Sequence, residues 1–180
     1  MGGTKMFKIL FFILLGLVAL YMLMTTPRTL KDNQRKRETA NAYAILNVET
    51  GKAIRVHNAG IEDERKIGLY SHHKWECMTW QLIQLEGDVY LLKNLFTHKS
   101  FQPSATPEAG VTLWQQPIGG DKLQYWEFIK QEDETYLIRL QGTDLYITIT
   151  SDKNHSDLVL MPLQNSPTQL WTLFKQSPII

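Results

Sequence analysis

A single cysteine, Cys77, stands in 180 residues, so no intramolecular disulfide can form and the fold must be held by its apolar core. A segment of about 140 residues is long enough to bury such a core without staples. Cys77 lies just ahead of Trp80 and reads as a buried thiol. Charge of one sign is also scarce. A net charge of +1 gives no field suited to nucleic acid, and no basic stripe interleaved with aromatics occurs. Catalytic signatures are missing as well: there is no Gly-x-Ser-x-Gly elbow, no phosphate-cradling glycine loop and no His-Glu-x-x-His helix. His72, His73, Glu76 and Cys77 fall within six residues, but their spacing fits no standard zinc site. The acidic run Glu132, Asp133 and Glu134 reads as a solvated turn. No enzyme activity, metal or cofactor is expected. After residue 42 no apolar stripe of helical period is sustained, which excludes a helical body there.

One long apolar run is present. Ile9 to Met24 carries no charge, is interrupted only by Gly16 and follows Lys5 and Lys8, as in an export segment. At the rise of a helix it reaches about 24 Å, short of the roughly 30 Å hydrocarbon core of a bilayer. No convincing small-x-small cleavage site stands near Met24-Thr25-Thr26, so residues 1–26 are expected to be a signal peptide or a signal anchor, touching the membrane through residues 9–24 if uncleaved. Residues 27–41 are polar, rich in charge and without apolar period, which predicts a flexible arm. Arg28, Lys31, Arg35, Lys36 and Arg37 outnumber the lysines ahead of the run, an argument for retention in the cytosol on the positive-inside rule.

The rest of the chain is one unit written three times. Trp80, Trp126 and Trp171 are 46 and 45 residues apart, and they follow Tyr43, Tyr90 and Tyr136 by 37, 36 and 35 residues. Between these landmarks lie the alternating pairs Ile67/Leu69, Val111/Leu113 and Leu158/Leu160, then the bulky Tyr70, Trp114 and Met161. Each unit alternates apolar and polar residues over short runs separated by turn signals such as Glu49-Thr50-Gly51, Gly119-Gly120-Asp121 and Ser151-Asp152-Lys153. This predicts an all-β body with about four short strands per unit. A propeller needs at least about four blades. Three lobes of this length complete a β-trefoil, with boundaries of about 42–86, 87–132 and 133–180 within a domain of 42–180. The three tryptophans are then core residues near the pseudo-threefold axis.

With Gln124-Tyr125-Trp126 and Gln169-Leu170-Trp171 as two Gln-x-Trp copies, and Met78-Thr79-Trp80 as a degenerate third, residues 42–178 resemble the ricin-type β-trefoil, the R-type lectin family. Gln124 and Gln169 join the tryptophans as residues of the structural repeat. The resemblance implies a non-catalytic attachment domain that acts outside cells, and so an exported protein, secreted, periplasmic or held by its N-terminal segment. Where the family binds sugar it commonly places an aspartate at positions that are Arg55, Gln102 and Thr148 here, none of them a carboxylate. Gln102 and Thr148 can still bond a hydroxyl. The first lobe carries a polar insertion, His57 to Tyr70, containing Asn58, and beyond it Trp75 has no counterpart in the other lobes. Trp75 either contacts a ligand or covers the end of the barrel. Asn58, Trp75, Gln102 and Thr148 are the expected ligand-binding residues.

The opening Tyr43 to Gly51, the segment Trp80-Gln81-Leu82-Ile83 and the N-terminal arm also look like the binding subunits A and C of cytolethal distending toxin. That likeness implies a receptor-binding subunit of a bacterial toxin complex that assists delivery of a catalytic partner. Its partners would be a host cell-surface glycan or glycoprotein, a second trefoil subunit and a catalytic toxin subunit. Two alternatives stand beside it: a solitary exported lectin and a membrane-anchored scaffold that binds protein.

Overall fold

The computed structural model describes residues 3–178, and the side chains of residues 3–12, 19 and 23–28 lie outside that description. Two compact units result, Met1–Ala40 and Asn41–Ile180. The first contains a helix, α1 (Gly3–Ala40). Residues 27–40 are helical where the sequence predicts a flexible arm. No glycine or proline follows Pro27 in this stretch, and Leu, Lys, Arg, Gln, Glu and Ala are strong helix formers. Gln34 Nε2 donates to Glu38 Oε1 at 3.2 Å one turn on, and the Thr39 hydroxyl donates to the Arg35 carbonyl at 2.9 Å. Upstream, Ile13, Leu14, Leu15, Leu17 and Val18 are all exposed, on a helix apolar on every side. The expected membrane segment, residues 9–24, falls partly on side chains outside the described set. Among the described residues no helix is long and apolar enough to cross a membrane.

The second unit is the expected all-β body, built from three four-strand lobes. The first holds β1 (Ala42–Asn47), β2 (Ala53–Val56), β3 (Ile67–Tyr70) and β4 (Trp80–Glu86). The second holds β5 (Val89–Asn94), β6 (Ser100–Pro103), β7 (Leu113–Gln116) and β8 (Tyr125–Lys130). The third holds β9 (Tyr136–Leu140), β10 (Tyr146–Ile149), β11 (Leu158–Met161) and β12 (Leu170–Lys175). The first and last strands of each lobe pair in the cycle β1-β4-β5-β8-β9-β12-β1, a closed antiparallel barrel. Closure removes the sheet edges that would otherwise template aggregation. The hairpins β2-β3, β6-β7 and β10-β11 close one end, and three single bridges, Lys66 to Trp114, Gly68 to Asp157 and Thr112 to Val159, tie them in a triangle.

Trp80, Trp126 and Trp171 are fully buried, each on the last strand of its lobe. Each indole N–H donates to the carbonyl of the second residue of the hairpin strand in the same lobe: Ile54 at 3.1 Å, Phe101 at 3.4 Å and Ile147 at 3.2 Å. This bond lets a large ring sink completely without orphaning its polar atom. Around them Ile45, Leu92 and Ile138 occupy equivalent strand positions, all fully buried.

Directly across from each tryptophan stands a residue of the next lobe: Asn94 faces Trp80, Leu140 faces Trp126 and Asn47 faces Trp171. Asn47 donates to the carbonyls of Pro167, Thr168 and Leu170 at 3.1 to 3.3 Å, and its Oδ1 accepts from Thr50 at 3.3 Å. Asn94 repeats the arrangement on the Cys77 carbonyl and on Thr97. Two buried amides thus clamp neighbouring lobes while closing their own turns. In the third copy Leu140 leaves the clamp out.

The period of the repeat is as the sequence predicts, but one landmark shifts. In the second lobe the strand equivalent to Ile67–Tyr70 is Leu113–Gln116, because Val56, Pro103 and Ile149 pair with Ile67, Leu113 and Leu158. Trp114 therefore corresponds to Gly68 and Val159, and Gln116 to Tyr70 and Met161. A slip of two residues preserves strand alternation, so the sequence pattern cannot detect it.

Candidate carbohydrate-binding site

Arg55, Gln102 and Thr148 occupy the same place on the three hairpins, as the sequence predicts, but the surrounding residues give them different roles. In the third lobe Gln169 Nε2 donates to the Thr148 hydroxyl at 2.8 Å and to the Pro162 carbonyl at 2.9 Å, while Gln169 Oε1 accepts from Gln164 N. Thr148 in turn donates to the Tyr146 carbonyl at 3.0 Å and is only 4% exposed. Its hydroxyl is used in both directions inside the lobe, so the expected ligand contact at Thr148 turns inward. In the second lobe Gln124 Nε2 donates to Gln102 Oε1 at 3.0 Å and to the Pro117 carbonyl at 2.8 Å. Gln102 is half-buried and its acceptor is already engaged. The glutamine of each Gln-x-Trp is therefore a strut that fixes hairpin to barrel.

The first lobe has no such strut, since Met78 replaces the glutamine. Met78 instead packs with Cys77 and Ala53 in a small apolar cluster that Leu46, Tyr70 and Trp75 cover. Arg55 is left free of a glutamine partner. Its guanidinium carbon lies 4.3 Å from the centre of the Tyr70 ring and 5.5 Å from that of Trp75. His73 stacks on Trp75 with ring centres 4.2 Å apart, and His155 of the third lobe meets Tyr70 edge-on at 5.0 Å. Trp75 is half-buried, so it both covers the small cluster and keeps a face toward solvent. Sequence reasoning singled out Trp75 but not its grouping with Arg55, Tyr70 and His73. The signal was there: Met78 breaks the Gln-x-Trp rule in the one lobe that also carries an extra aromatic.

The polar insertion of the first lobe is pinned rather than free. Gln115, buried where the other lobes have Leu69 and Leu160, donates Nε2 to the carbonyls of Gly60 at 2.9 Å and Glu62 at 2.5 Å. Lys99 holds the Ile61 carbonyl and the Asp63 carboxylate. Asn58 is exposed, with left-handed backbone at φ 53°, a conformation asparagine tolerates better than most residues. It borders a surface hollow of about 240 Å³ lined by His57 and charged residues 62–66. Asn58 and Trp75 thus sit in the same lobe, whereas Gln102 and Thr148 belong to the other two.

His57 enters the junction of lobes one and three because Gly68 makes room. A Cβ at Gly68 would come within 2.3 Å of His57 Nε2 and 2.5 Å of the Ser156 carbonyl. His57 Nε2 lies 3.8 Å from Asp157 Oδ1, and Lys66 Nζ holds Asp157 Oδ2 at 2.7 Å. Burial lowers the His57 pKa, with Asp157 offsetting part of the effect. A neutral folded imidazole binds fewer protons than the unfolded one, so stability from this group is present above the ordinary histidine value of about 6.5 and is lost as pH falls below it. Urea midpoints should drop between pH 7.5 and pH 5.5, and the drop should shrink in His57→Gln.

His72, His73 and Cys77 have separate duties. His72 Nε2 shares a hydrogen bond with Gln176 Oε1 at 2.7 Å, and Cys77 is 5% exposed with its thiol pKa raised by burial. Among the described residues no group of three or more His, Cys, Asp or Glu is placed to hold a metal.

Residues 77–161 match the family described as "Ricin-type beta-trefoil lectin domain-like". The fold is shared with ThreeFoil, a designed threefold-symmetric protein, at 19% identity and TM-score 0.70 over 74% of this chain and 98% of that one. A ricin B-like lectin from Macrolepiota procera, solved with lactose, matches at 18% identity and TM-score 0.63 over 74% and 94% of the two chains. A mosquitocidal holotoxin matches at 17% identity and TM-score 0.67 over 76% of this chain but 17% of its own length. No curated protein matches by sequence. The expected resemblance holds: residues 77–161 match the ricin-type lectin-like model, and the body that follows α1 has the β-trefoil fold of the lectins it resembles.

Proposed function

We propose that this chain is an exported attachment protein that binds carbohydrate and does not transform it, through the first lobe of its trefoil. The observation that carries the reading is the solvent-facing group of Tyr70, His73 and Trp75 in the one lobe where no Gln-x-Trp glutamine fills the space. A sugar ring presents C–H bonds on its face and hydroxyls at its edge, so it fits a flat aromatic surface bordered by polar groups. The apolar half of α1 supports export or membrane attachment. A glycan array probed with the full chain is the test. Binding to a defined glycan class, with the glycan recovered at unchanged mass, is the expected result, and Trp75→Ala should weaken it at least about tenfold, the effect of a central aromatic contact. An empty array, or recovery of a shortened glycan, would contradict the reading.

The finer reading, a receptor-binding subunit that carries a toxin's catalytic partner, has the trefoil of the mosquitocidal holotoxin in its favour. Pull-down from the source organism should then recover a second trefoil chain or an enzyme with it. Recovery of the chain alone would favour the solitary lectin.

A further inference from the structure

Arg55 is half-buried, and its Nε is buried with no hydrogen-bond partner. No carboxylate pairs with it among the described residues. Its charge and a weak contact with the Cys77 thiol act against the burial that raises that thiol's pKa. A guanidinium taken partly out of water with its Nε lacking an acceptor carries a desolvation cost that a weak thiol acceptor does not offset. Its contacts with Tyr70 at 4.3 Å and Trp75 at 5.5 Å offset part of that cost, but rings satisfy none of its N–H donors. The fork of donors is planar and matches a carboxylate or a sulfate, two oxygens to two nitrogens.

The surroundings add to this. His73 and His155 flank the rings, while the nearby Asp157 carboxylate is held by Lys66 at 2.7 Å. Asn154 Oδ1 faces inward, accepting from the Ser71 amide at 3.0 Å and hydroxyl at 3.2 Å. At the two equivalent hairpin positions the side chain is neutral and held by a glutamine, so this concentration of positive charge and aromatic surface occurs in one lobe only.

We propose that the surface formed by Arg55, Tyr70, His73 and Trp75 selects sugars bearing a negative charge, with the anionic group on the Arg55 guanidinium and the ring against Trp75. The inference rests on the carbohydrate-binding reading above and narrows its ligand class to carboxylated or sulfated glycans.

The full chain is titrated with lactose, 3′-sialyllactose and 3′-sulfolactose by calorimetry at low and high salt. At least one charged ligand should bind about tenfold or more tightly than lactose, the scale of one charge-assisted pair, and the advantage should fall as salt rises. The two charged arms separate carboxylate from sulfate recognition. Arg55→Gln should abolish the advantage, so that the charged sugars bind no more tightly than lactose to the same variant, and Arg55→Lys should retain part of it. Equal affinity for all three sugars, or a charge preference that survives Arg55→Gln, overturns the inference and leaves the carbohydrate reading intact. Failure to bind any glycan, here and on the array, overturns both.

Discussion

Trp171→Ala lowers the unfolding free energy by about 3–5 kcal/mol, the range for emptying a fully buried large aromatic position. The ring is fully buried, and its loss also orphans the Ile147 carbonyl it bonds at 3.2 Å. Against a typical total of about 5–15 kcal/mol that is a large share, so the variant should unfold at a markedly lower denaturant midpoint and melting temperature than the parent. Trp75→Ala is the control, since its side chain keeps one face in solvent and should cost far less. Chemical denaturation of both variants separates the two roles. A small loss at Trp171 would mean that the repeated indoles do not build the core.

Asn47→Ala should cost about 2–4 kcal/mol, although it removes only a few atoms. Its amide nitrogen serves three carbonyls of the third lobe and its oxygen serves Thr50 in its own turn, so one substitution leaves buried groups unsatisfied on both sides of a lobe boundary. Asn94→Ala should cost less, because its nitrogen reaches only the Cys77 carbonyl. Equal, negligible losses at both positions in urea titrations would show that packing alone joins the lobes.

How much of this was legible beforehand depends on the kind of signal. Tryptophans at near-equal spacing reveal the threefold repeat, because equivalent seats in a closed barrel require equivalent large residues. The Gln-x-Trp copies likewise point to the family fold. The struts made by Gln124 and Gln169 were not legible, since a hydrogen bond to a hairpin 22 or 21 residues upstream leaves no local pattern. For that reason Gln102 and Thr148 looked available for a ligand when their acceptors are already engaged. The clamp did leave a trace, Asn47 and Asn94 each followed three residues later by a threonine. The helix over residues 27–40 was read as a flexible arm because high charge marks disorder and exposed helix alike; propensity was the better guide.

The trefoil supplies three equivalent hairpins, and the first differs from the others at the Gln-x-Trp position, in its polar insertion, in Arg55 and in one additional aromatic. Met78 leaves Arg55 without a glutamine strut, and Tyr70 of the same lobe meets His155 of the third. Function on this account lies where the symmetry fails, and stability where it holds.

Five tryptophans provide five indole N–H signals in a nitrogen-proton correlation spectrum, which makes the first-lobe site directly observable during a glycan titration. The Trp75 signal should shift with saturable dependence on glycan, while those of Trp80, Trp126 and Trp171, sealed in the core, stay in place. Movement of the core signals without Trp75, or saturation of binding with Trp75 unmoved, would contradict the account.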